Sequence, residues 1–97
     1  MTNLDKLPRT RGKYRVEIAS GTVHIIDIAP RITWERRPGR SATSERYDYL
    51  PRILSELGPG WEVGRQGYLV VADESSLGGA TTHLTDTISN ITEEPEG

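Results

Sequence analysis

Cysteine is absent from this 97-residue chain. That excludes disulfides, thiolate metal sites and cysteine nucleophiles. Phenylalanine is absent too, and there is a single methionine. Apolar residues make up only 34% of the chain, enough for one thin core in one small domain rather than a deep enclosed active site. No run approaches the ~18 apolar residues of a membrane-spanning helix. The stretch from Met1 to Arg15 has no apolar segment of the kind a secretory leader needs. The expectation is a cytoplasmic protein without membrane contact.

Lysine is scarce, two residues against ten arginines, and no cation follows Arg65. Net charge is -2, but residues 1–52 hold eleven basic and six acidic side chains, whereas residues 53–97 hold one basic and eight acidic. Such asymmetry points to nucleic-acid or membrane contact, or to an acidic tail. Arginine offers a planar fork that pairs with carboxylate or phosphate and stacks on aromatic rings. Arginine-rich usage is equally what a GC-rich genome produces.

Along the chain, residues 1–12 read as a flexible basic arm. Residues 13–72 read as the core domain, and residues 73–97 as an acidic Ser/Thr-rich segment, partly disordered. Residues 13–19 alternate, with Tyr14, Val16 and Ile18 on one face and Lys13, Arg15 and Glu17 on the other, the pattern of a half-buried strand. Ser20-Gly21 reads as a two-residue turn, and Thr22 to Ala29 as the return strand. That loop length pairs Ile18 with Val23, Glu17 with His24 and Val16 with Ile25. It puts Val23 and Ile25 on the core face and leaves Ile26 and Ile28 on the opposite, basic face, as if for a subunit contact. Pro30 to Ser44 reads as a long connection. Tyr47, Leu50, Ile53, Leu54 and Leu57 recur at helical spacing before Gly58-Pro59, which predicts a helix from about Asp48 to Leu57. Residues 60–64 read as a short strand, residues 64–67 as a turn and Tyr68 to Ala72 as a strand. Leu77, Leu84, Ile88 and Ile91 fit one helical stripe, predicting a weak helix over about Ala80–Asn90. The fold class that follows is α+β, with ββαββ order and one helix packed on an antiparallel sheet.

The chemistry is sparse. His24 and Asp27 lie three apart, on opposite faces of a strand. His83 and Asp86 would share a helix face, but two ligands make a poor metal site. His24 is better placed to pair with Glu17 across the hairpin. No nucleophile elbow is present. Gly58-Pro59-Gly60 and Gly64 resemble no phosphate loop, because a strand follows instead of a helix. Gly78-Gly79 before Thr81-Thr82 could open a helix and offer N–H groups to an anion, but the segment that follows is acidic. The reading is therefore non-enzymatic, with no catalytic residue, metal or cofactor.

What stands out is Arg31, Trp34, Arg36, Arg37, Arg40 and Arg46, cations interleaved with an aromatic ring. Trp and Arg are enriched among the residues that dominate protein–protein contacts. The same combination serves phosphate binding and base stacking. A pI near 5.6 argues against a nucleic-acid module. The expectation is a small binding protein of inhibitor or regulator type, which a phage or mobile-element origin would suit. Its partner would be another protein, with a homodimer as one possibility. The alternative is a DNA- or RNA-binding module using residues 31–46.

Overall fold

The computed structural model describes residues 3–39, 48–72 and 79–94. Within them the protein is all-β, and no helix occurs among the described residues. This overturns the α+β expectation. Eight strands form one antiparallel sheet in the order β1-β8-β2-β3-β4-β5-β6-β7. Three times a single extra residue decides which side chains face inward, and these three places account for most of the difference from the sequence reading.

The first lies between β2 (Gly12–Ile18) and β3 (Val23–Ile28). The hairpin forms where the alternation predicts it, but its loop is Ala19-Ser20-Gly21. The Gly21 N–H donates to the Ile18 carbonyl at 2.9 Å, and the Ile18 N–H donates to the Thr22 carbonyl at 3.0 Å. Gly21 has φ 92°, the left-handed residue that ends a three-residue hairpin loop. Pairing therefore shifts by one, to Glu17 with Val23, Val16 with His24 and Tyr14 with Ile26. A one-residue slip moves every side chain of a strand to the other face. Ile26 and Ile28 are buried in the core beside Tyr14, Val16 and Ile18. The ground for a dimer face built on them is gone, and so is the pairing of His24 with Glu17.

The second extra residue is in β5 (Arg52–Leu57), where a helix was expected. Leu54 pairs with Val71 but Glu56 pairs with Val70, so Ser55 bulges out of the ladder. A bulge changes the parity of a strand. Leu54 and Leu57, three apart, therefore both oppose buried residues of β6 (Tyr68–Ala72), Val71 and Leu69. Helical spacing is thus produced by a strand with one residue to spare.

The third repeats the device. In place of the expected C-terminal helix the chain forms β7 (Ala80–Leu84) and β8 (Ile88–Glu93). Asn90 pairs with Glu17 while Ile88 pairs with Ile18, so Ser89 is the surplus residue. Ile88 and Ile91 both turn inward and are fully buried. The threonines of this region are strand formers, and here that preference prevails.

The expected long connection instead contains β4 (Ile32–Arg37), paired with β3 over its whole length. Asn3–Leu4 forms β1 against β8, and Leu7 lies in the core. Residues 60–64 hold only an isolated bridge from Glu62 to Lys6. Trp61 is buried there and donates its Nε1–H to the Tyr68 carbonyl at 2.9 Å. Gly67 makes room for that indole, because a Cβ at residue 67 would meet its ring at 2.6 Å.

The sheet curls on itself. Trp34 of β4 touches His83 of β7, with ring centroids 5.0 Å apart. One core draws Val16, Ile26, Trp34, Leu69 and Ile91 from both halves of the sheet. On the outer face Val23 and Ile25 are also buried. Ile25 sits in register between Arg15 and Glu35, and Val23 between Glu17 and Arg37. Arg15 pairs with Glu17 at 3.2 Å, and Arg37 with Glu35 at 2.6 Å and Glu94 at 3.8 Å. Long charged side chains can cover apolar surface with their stems while their heads stay in water. No helix among the described residues is long and apolar enough to cross a membrane.

Candidate functional site

The inward face of β3 and β4 builds a polar cluster inside an otherwise apolar core. His24 stands directly opposite Arg36, and Trp34 lies two pairs further along β4 on the same face, opposite Ile26. The Trp34 Nε1–H donates to His24 Nδ1 at 2.8 Å. The two rings stack with centroids 5.9 Å apart and planes 24° from parallel. Since Nδ1 accepts, the neutral imidazole carries its proton on Nε2. That Nε2 is buried and has no hydrogen-bond partner. An unmet buried donor costs about 1–3 kcal/mol, so the site holds an unspent hydrogen bond. Burial, then the nearby Arg36 charge, then His83 push the His24 pKa down to about 4. His24 is thus a neutral donor at ordinary pH.

A cup of about 280 Å³ opens beside this cluster. Ile18, Leu69, Leu84 and Trp34 give it apolar walls, and Thr22, His24, Arg36, His83 and Asp86 give it polar ones. The Thr22 hydroxyl oxygen accepts from the Gly39 N–H at 3.3 Å, leaving its proton to donate. Thr85 is committed to the frame, accepting from the Gly67 N–H and donating to the Asp86 carbonyl, both at 2.8 Å. Among the described residues no group of three or more His, Asp or Glu side chains could hold a metal.

Arg36 connects the cup to its rim. Its Nη1 pairs with Asp48 Oδ1 at 2.8 Å, with the side chains only 16% and 9% exposed. The Tyr49 N–H donates to the Arg36 carbonyl at 2.8 Å. Tyr49 has φ 65°, alone among the described non-glycine residues in being positive. Non-glycine residues are held there only where the surroundings over-determine them. The bend leaves Tyr49, Leu50 and Ile53 exposed at 61%, 55% and 50%, three large apolar side chains within five residues.

The sequence-derived site residues are not brought to one surface. Trp34 is buried and faces inward, as does Arg36. Arg37 faces outward among carboxylates. Arg31 is exposed in the turn between β3 and β4. Arg40 and Arg46 lie outside the described residues. On sequence alone His24 and His83 are weighed as metal ligands and set aside on spacing and ligand number, Thr22 is not reached, and the two-residue loop puts His24 on the outer face. Ala19-Ser20-Gly21, with glycine at the third loop position, was the signal that could have corrected this. Comparison with protein families, with curated proteins and with solved structures finds no match.

Proposed function

We propose that this chain is a non-enzymatic cytoplasmic binding protein that works by surface contact with a protein partner, as an inhibitor or regulator does. The observation that carries the reading is the exposed Tyr49-Leu50-Ile53 segment, fixed to the sheet by the largely buried Arg36–Asp48 pair. Exposed apolar groups on a rigid support suit an interface centre, since preorganisation lowers the ordering cost of binding. In sequence this segment lies at the end of the basic half of the chain, and exposed Arg31 precedes the strand that pairs with Ile53. The partner that fits has an apolar centre rimmed by acidic side chains. The nucleic-acid alternative draws less support, because Arg15, Arg36, Arg37 and Arg65 each pair with a carboxylate within the fold.

The test is a photo-crosslinking residue placed at Leu50, with an equivalent one at exposed Ser89 as control, in the cells that make the protein. The expected result is one protein product from position 50, none from position 89, and loss of that product on Ile53→Ser. A product of twice the chain mass would make the partner a second copy and overturn the proposal. So would crosslinking to nucleic acid with a steep salt dependence, or equal products from both positions.

A further inference from the structure

We infer that the cup around His24 is a binding site for a compact organic carboxylate, independent of the protein-docking rim. Three features converge on that chemistry. His24 presents Nε2–H, a buried donor without an acceptor in the fold. Thr22 lines the same cup with its hydroxyl oxygen accepting from Gly39, so its proton points to a further acceptor. Arg36 places a guanidinium in the wall. His24 and Thr22 each offer a donor, and the Arg36 guanidinium, itself paired with Asp48, adds positive charge, so the complementary ligand accepts hydrogen bonds, and a carboxylate accepts several at once. Its apolar body would lie against Ile18, Leu69 and Leu84. A volume near 280 Å³ stands at the lower end for ligand pockets, which limits the ligand to a short chain or a single ring.

The tautomer argues against a metal here. With the Nδ1 lone pair held by the Trp34 N–H, the neutral ring offers a proton and not a lone pair at Nε2. Asp86, an exposed carboxylate at the mouth whose Oδ1 accepts from the Thr87 N–H, opposes an anion. Nε2 is shielded from bulk water, so the ligand reaches it by displacing a side chain of the wall. His83, on the edge strand β7 and against Trp34, is the wall residue best placed to yield. Side-chain rearrangement of this size commonly accompanies binding.

The test is a titration of nitrogen-15-labelled protein with isobutyrate and with isobutyramide, its neutral isostere, following the side-chain N–H signals of His24 and Trp34. Isobutyrate should shift both signals saturably, and isobutyramide should bind roughly tenfold more weakly. Asp86→Asn retains the bond to Thr87 and should tighten isobutyrate binding about threefold by removing a like charge. Leu84→Trp, at a 61% exposed rim position, should block entry while leaving the fold intact. Absence of saturable shifts, equal binding of the amide, or binding indifferent to Leu84→Trp would each overturn the inference. Isobutyrate is also added to the protein crosslinked to its partner at position 50. Joint binding is the expected result, and exclusion of isobutyrate by the partner would overturn the independence of the cup from the docking rim.

Discussion

His24 sets the chemistry of the site and also its pH response. Burial holds its pKa near 4 in the folded protein, below the ordinary 6.5 of an unfolded histidine. The unfolded chain therefore takes up the proton first as pH falls. The His24 contribution to stability is complete above pH 6.5 and is lost between there and about pH 4. The size follows from the shift, about 3 kcal/mol, and protonation would also set two N–H groups against each other at Trp34. Urea denaturation of the wild type and of His24→Asn at pH 7 and pH 4.5 isolates this term from that of the carboxylates. The wild type should lose about 2 kcal/mol more than the variant over that range, most of the full term. Equal losses would mean that His24 is not buried as a neutral base acceptor.

At the scale of elements, parity governs the molecule. Ser55 and Ser89 each add one residue to a strand, and Ala19-Ser20-Gly21 adds one to a loop. Alternation in β2 was legible because nothing interrupts it between Lys13 and Ile18. The strand Tyr68–Ala72 was legible as a short apolar run between turn residues. The strands β5 and β8 were not, since Leu54/Leu57 and Ile88/Ile91 stand three apart, and sequence spacing alone cannot separate a helix turn from a bulged strand. The strand β4 was hidden by its own charges, because Glu35 and Arg37 serve an outer face covered by ion pairs instead of a second layer. Deleting Ser89 tests this view of β8. It should turn Ile88 or Ile91 outward and cost about 3 kcal/mol or more, the scale of losing a buried isoleucine. Ser89→Ala removes only the exposed hydroxyl bond to the Glu17 carbonyl and should cost under about 1 kcal/mol. Equal midpoints in denaturant for the two variants would contradict the parity account.

For the whole molecule, the curl of the sheet turns a one-residue choice in the first hairpin into a site. It brings β7 over β4, so that His83 meets Trp34 and the cup closes around His24. The candidate site was legible in the sequence only as a list of arginines near Trp34. Their division between inner and outer faces depends on β4 being a strand, and the histidines enter only once the register is right. Charge asymmetry between the halves was legible, but the fold interleaves it. Arg37 from the basic half meets Glu94 from the acidic half at 3.8 Å on one face of the sheet.

The most direct measurement is the pH titration of the His24 ring nitrogens by NMR. A two-residue hairpin loop would place His24 on the outer face beside Glu17, where it would titrate near 6.5 or above. The three-residue loop places it inside, against Trp34. The account predicts a neutral ring with a protonated Nε2 and an accepting Nδ1 at pH 7, a Trp34 indole proton shifted by its hydrogen bond, and no titration until about pH 4. A midpoint at or above 6.5, or a proton on Nδ1, would contradict the register, the cup and every functional statement built on them.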